Sequence, residues 1–135
     1  MNSHESLIDT RWGDLDLLGH VNNVAYMVYF ENARVQLVHD INAVEHFGGL
    51  ALVVVQANIS YKVSATHPSK LKVVTTIPRI GNTSMTFHHV LQDRDGETIY
   101  SEADITAVWV SMEDNQPKPV PEFMRQWAQP ESAAR

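Results

Sequence analysis

The spacing of apolar residues changes period as the chain is read, and each change marks an element. Ser6–Trp12 reads as a short first strand and 13–21 as a loop. Tyr26, Phe30, Ala33, Leu37, Ile41 and Val44 then recur at steps of four and three, with Met27, Val28 and Val38 widening the stripe. This is one long helix, expected to be largely buried because so much of its circumference is apolar. Asn22 or Asn23 is placed to cap it, since a short amide side chain accepts from the N–H groups that a first turn leaves unpaired. Gly48-Gly49 is placed to end it.

Beyond those glycines the period drops to two. Val53, Val55, Ala57, Ile59, Tyr61 and Val63 alternate with Val54, Gln56, Asn58, Ser60 and Lys62, which predicts a strand with one polar face. Leu71–Ile77 reads as the next strand, closed by Pro78 and Gly81. Met85, Phe87, His89 and Leu91 form one face of another. Asp93-Arg94-Asp95-Gly96 predicts a hairpin turn into a strand over Ile99–Val110, with Ile99, Ser101, Ala103, Ile105, Ala107 and Trp109 on one side. Pro117, Pro119 and Pro121 interrupt regular structure, Glu122–Ala128 suggests a short terminal helix, and 129–135 a frayed tail. Strand, long helix and antiparallel meander make an α+β protein whose five-stranded sheet wraps one central helix. Its edge strands are ready to be covered by a second subunit.

Length sets one domain, placed at 1–128, with room for a real core. A net charge of −6 argues against a nucleic-acid partner, yet leaves room for an anionic ligand held by a local cation cluster. The absence of cysteine removes disulfides, thiolate metal sites and a thiol nucleophile, and suits a reducing cytoplasm. Met1–Thr10 is mostly polar, and the longest apolar runs are too short to span a bilayer. A cytoplasmic protein without a membrane partner is the expectation.

Candidate chemistry is concentrated in Arg11–Asn23. Asp16 and His20 flank a glycine, Gly19, just before the helix start, where free N–H groups and the positive dipole end favour a developing oxyanion. Other constellations are weaker. His88 and His89 are adjacent in a strand and point to opposite faces, and His39 and His46 are two helical turns apart, so no metal is expected. Ser69 and Lys72 have serine–lysine spacing at a loop–strand junction, where chance is the simpler reading. Asp14 reads as structural, Glu31 and Arg34 as a helix-surface ion pair, and Tyr26 and Tyr29 as core or pocket wall.

The run Asp14-Leu15-Asp16-Leu17-Leu18-Gly19-His20-Val21-Asn22-Asn23-Val24-Ala25-Tyr26, followed by Tyr29-Phe30-Glu31-Asn32-Ala33-Arg34, resembles the hotdog-fold thioesterases, in particular the 4-hydroxybenzoyl-CoA thioesterase-like branch. Weaker similarity extends over nearly the whole chain. The resemblance implies a hotdog fold, dimers often paired into tetramers, active sites at subunit interfaces, and hydrolysis of acyl-CoA thioesters without cofactor or metal. It implies that Asp16 is the catalytic carboxylate, as nucleophile or water-activating base, and that the Asn23 backbone N–H polarises the thioester carbonyl. His20 matches the family histidine, and Gly19, Val21, Asn22 and Tyr26 are the implied substrate-binding neighbours. Asn22-Asn23 is similar to the fatty-acyl branch. Plant acyl-carrier-protein enzymes of that branch carry asparagine where this chain has Leu18. Lys62, Lys70, Lys72, Arg79 and Arg94 are the candidate contacts for CoA phosphates. The rival readings are an acyl-carrier-protein thioesterase, a hydroxyacyl thioester dehydratase and a non-catalytic acyl-thioester-binding protein.

Overall fold

The computed structural model describes residues 1–130, so 131–135 of the expected tail lie outside the described residues. Five strands, β1 (Ser3–Asp9), β2 (Leu50–Tyr61), β3 (Lys70–Ile80), β4 (Ser84–Asp93) and β5 (Ile99–Ser111), form one antiparallel sheet in the order β1-β3-β4-β5-β2. Helix α1 (Asn23–Asp40) lies against its inner face, and the short α2 (Glu122–Ala128) stands where the sequence places it. This is the hotdog arrangement. None of the described helices is long and apolar enough to cross a membrane.

Alternation along the strands builds the core. On β4 the buried positions are Met85, Phe87, His89 and Leu91, and on β5 Ser101, Ala103, Ile105, Ala107 and Trp109, as the period of two requires. Phe30, Ala33 and Leu37 of α1 meet them with no exposed surface. Phe47 and Phe123 close over Trp109, each ring edge-on to the indole, and carry the core out to α2.

Four expectations need correction. First, β1 begins at Ser3 and ends at Asp9, while Trp12 sits in a 3-10 turn and is 80% exposed. Its inward positions include His4 and Ser6, and inward polar residues hide the alternation. Second, α1 stops at Asp40 rather than Phe47. Asn42 takes the left-handed conformation (φ 58°), and the N–H groups of Asn42 and Ala43 turn back to the carbonyls of His39 and Val38. This is a Schellman stop with asparagine in the usual glycine place. Val44, expected on the helix stripe, is 51% exposed beyond it.

Third, β3 passes through Pro78 to Ile80, because Pro78 falls where the pairing with β4 shifts between Thr76 and Arg79 and no ladder N–H is needed. Fourth, the surfaces expected to be buried on α1 and β2 are partly open. Val24, Val28 and Val35 of α1 are exposed, and so are Val53, Val54 and Val55 of β2. Val55 also interrupts the β2–β5 register, which shifts between Val54 and Gln56.

Truncating the Phe30 ring, which has no exposed surface and stacks 5.3 Å from the His89 imidazole, tests the core. Phe30→Ala is expected to cost about 3–5 kcal/mol, read as a lowered urea midpoint at unchanged slope.

Candidate active site

The loop between β1 and α1 is folded by its own backbone. Leu15 bridges Val21, the Asp16 N–H donates to the His20 carbonyl at 2.8 Å, and the Gly19 N–H donates to the Asp16 carbonyl at 3.1 Å. Gly19 holds φ at 78°, the left-handed region that a side chain strains. Within this turn one Asp16 carboxylate oxygen, Oδ1, accepts from the N–H groups of Leu18 (2.9 Å) and His20 (3.2 Å). The carboxylate is therefore aimed, while Oδ2 keeps no partner among the described residues.

Asp14 locks this loop to the helix. The residue is 4% exposed, and its carboxylate accepts from the Tyr29 hydroxyl at 2.6 Å, the Arg11 N–H at 3.0 Å and the Arg11 guanidinium at 3.0 and 3.3 Å. Its carbonyl accepts the Asn22 N–H at 2.7 Å. Burial alone pushes the Asp14 carboxyl up, but the Tyr29 and Arg11 donors outweigh it and hold it below its ordinary value of 3.8. Burial, reinforced by the Asp14 charge, pushes the Tyr29 hydroxyl well above the ordinary phenol range, so it remains a donor.

The first turn of α1 distributes its N–H groups unevenly. Asn22 is the cap: its Oδ1 accepts from Val24 at 2.9 Å and its carbonyl from Ala25 at 2.9 Å. The Asn23 N–H has no acceptor among the described residues. Asn23 lines, with the positive end of the helix dipole behind it, a cleft of about 310 Å³ that also carries Asp16, Leu18, His20, Val21 and Tyr26 on its walls. The opposite wall comes from the end of β2 and the segment after it: Tyr61, Lys62, Val63 and Ser64. The Tyr61 hydroxyl donates to the Asn23 carbonyl at 3.3 Å, tying that wall to the helix start.

A profile of the thioesterase-like superfamily matches residues 10–128. The chain belongs to this superfamily. It is a thioester hydrolase. A putative thioesterase from Pseudomonas aeruginosa of known structure is 32% identical, with a TM-score of 0.84 over 91% of this chain and 95% of that one. The DHNA-CoA thioesterase of Staphylococcus aureus shares the fold at 20% identity, with a TM-score of 0.81 over 99% of this chain and 91% of that one. An uncharacterised Bacillus subtilis protein, YsmA, is 25% identical over 109 residues, 81% of this chain and 74% of its own.

Of the residues the sequence singles out, this thioesterase brings Asp16, His20, Val21, Asn23 and Tyr26 to one cleft. Gly19 and Asn22 shape the backbone around it and are not on its walls. Val21 is 3% exposed and donates its N–H to the Ala65 carbonyl, and Tyr26 accepts the Ala65 N–H on its hydroxyl, so both also serve the core. Among the five candidate cations only Lys62 lines the cleft, 3.5 Å from Glu102. Lys72 pairs with Glu5 and Arg94 with Asp9. Arg79 lines a separate hollow with Thr86 and Asp104. Tyr61, Val63 and Ser64 escaped notice as site residues, because nothing in a strand's alternation says which helix end it will reach.

Glu31 and Arg34 do not form the expected ion pair; Arg34 turns inward and donates to His89. Burial, then the Arg34 and His88 charges, push His89 down to about 3, so it is a neutral core imidazole, while His88 stands on the other face beside Asp104.

Asp14 generates a pH prediction. Its folded pKa is depressed, so its stabilisation is complete above 3.8, the ordinary value, and is lost as pH falls through the lower folded value. Unfolding free energy measured downward through that range should fall less steeply in Asp14→Asn than in the wild type. Tyr29→Phe, which removes one donor from the buried carboxylate, should cost about 1–3 kcal/mol at neutral pH.

Proposed function

We propose that the protein hydrolyses acyl-CoA thioesters, of the fatty-acyl class, to free acid and CoA, through one catalytic domain over 1–128 that works in the cytoplasm. One observation carries this reading: Asp16, an aimed carboxylate with a free oxygen, and Asn23, whose helix N-terminal N–H is unpaired among the described residues, line the same cleft. The thioester carbonyl oxygen sits against the Asn23 N–H, where charge gathers as the carbonyl is attacked. By the water route, Asp16 removes a proton from water, the hydroxide oxygen bonds to the carbonyl carbon, and collapse of the oxyanion expels the CoA thiolate, which takes the proton back from Asp16. By the nucleophilic route, Asp16 itself bonds to the carbon and expels the thiolate. Water then hydrolyses the resulting anhydride. His20, at the rim, orients substrate or water. Lys62 is the cation positioned to meet a CoA phosphate.

The working unit we propose is a homodimer, or a tetramer made from two. Support comes from the open edge of β2, where Val53, Val54 and Val55 are 45, 43 and 59% exposed, and from Val24 and Val35 of α1 at 69 and 60%. Apolar surface of this kind beside an unpaired strand edge is what a second copy covers.

Thiol release from CoA esters of graded chain length tests the reaction. Asp16→Asn should lower kcat by about 10²–10⁴-fold with the circular dichroism spectrum unchanged. Near-normal turnover in that variant removes Asp16 from the mechanism. Sedimentation should show a dimer or larger species, and Val55→Lys, which puts a charge on the β2 edge, should shift it toward monomer.

A further inference from the structure

Tyr26 lines the cleft that Asp16 and Asn23 share, yet it is only 2% exposed. We propose that Tyr26 is a catalytic residue: its O–H joins the Asn23 N–H on the thioester carbonyl oxygen and holds the charge that gathers there. The inference rests on the acyl-CoA thioesterase reading above and adds to it a second donor at the oxyanion.

The hydroxyl has a proton to give. Its oxygen accepts the Ala65 N–H at 3.1 Å, and an N–H takes no proton in return, so the phenolic O–H needs a different partner. No acceptor among the described residues meets it. A donor this deeply buried costs stability unless water or a ligand satisfies it. The hollow beside Leu7 and Val28, the one beside Val38 and Phe47 and the one around Arg79 do not include Tyr26, whereas the reaction cleft does. The proton is therefore left for what fills that cleft.

The helix decides which atom receives it. Tyr26 comes three residues after Asn23 in α1, on the same face. Helical side chains lean toward the N-terminus, so the Tyr26 ring covers the turn that begins with Asn23. Neighbours on both sides hold it there. The Tyr26 and Tyr61 ring centres are 5.2 Å apart, and the Tyr61 hydroxyl donates to the Asn23 carbonyl at 3.3 Å. Ala65, whose N–H holds the Tyr26 oxygen, accepts the Val21 N–H on its own carbonyl at 2.8 Å, two residues before Asn23. The hydroxyl is thus tied to the place where the pre-helix loop, the first turn of α1 and the segment after β2 meet. A carbonyl oxygen has two lone pairs and accepts two donors. The Asn23 backbone supplies one and Tyr26 the other, while Asp16 draws its donors from Leu18 and His20 of its own turn.

The test pairs turnover with the binding of two inert CoA ligands. In the ketone a methylene replaces the thioester sulfur and the carbonyl stays; in the thioether a methylene replaces the carbonyl and the sulfur stays. Tyr26→Phe should lower kcat about 10²-fold with little change in KM. It should also weaken the ketone while the thioether binds as it does to the wild type. A purely structural effect of losing the Ala65 contact weakens both ligands alike, and that result overturns the inference. Should Tyr26→Phe fail to fold, a ring-fluorinated tyrosine at position 26 keeps the ring, the hydroxyl and the Ala65 contact while making the O–H a stronger donor. The ketone must then gain on the thioether, and an unchanged ratio overturns the inference. No turnover of any CoA ester by the wild type refutes the acyl-CoA reading itself, and the inference with it, whereas wild-type turnover that Tyr26→Phe leaves intact refutes the inference alone.

Discussion

A carboxylate taken out of water must find donors, and Asp14 finds them on both sides of the junction between loop and helix. Tyr29 reaches it from the second turn of α1, Arg11 from the chain just before it, and its own carbonyl takes the N–H of the capping residue Asn22. Losing any of these leaves charge unsatisfied in a low-dielectric place, so the constraint is stiff. It holds the loop that carries Asp16 against the start of the helix. With Asn22 committed to Asp14 and to capping Val24 and Ala25, the Asn23 N–H is left over, and it is this group that we propose meets the thioester carbonyl.

The second organising feature is the space left beside α1. At the start of α1, the Tyr61–Asn23 contact ties the helix to the wall of the cleft that carries Asp16 and His20. A separate and mostly aliphatic hollow, with Glu31 and Arg34 on its walls, lies between α1 and β2. The sheet's inner face is filled with fully buried side chains, and the fold leaves space on both flanks of the helix, toward β1 as well as toward β2. Toward β2, open valines and a free strand edge make the surface that we propose a second subunit covers.

Much of this was legible in the sequence, and the failures have physical causes. Loop, cap and helix start were readable because a turn glycine, a short capping amide and a switch of period are local signals that agree. The hairpin at Asp93–Gly96 and the buried faces of β4 and β5 followed from the same kind of local chemistry. The end of α1 was misread because the apolar run continues through Ile41, Ala43 and Val44, while one asparagine's tolerance of a left-handed backbone stops the helix. The far wall of the cleft was invisible for a different reason. Tyr61 and Ser64 reach the site only through strand pairing between β2 and β5, and a long-range register leaves no mark on the residues it brings close. The inward turn of Arg34 was hidden likewise, since its partner His89 comes from another strand, 55 positions away in sequence.

The Asp16–His20 turn is closed almost entirely by its own atoms: one carboxylate oxygen on two local N–H groups, one backbone pair across it, and one left-handed glycine. Asp16, the group we propose reacts, is therefore oriented within the turn itself, while Asp14 fixes where that turn sits against the helix. The turn is a self-contained cassette. Such a cassette keeps its geometry while the surrounding sheet varies in sequence, and it is portable between scaffolds that offer the same helix start.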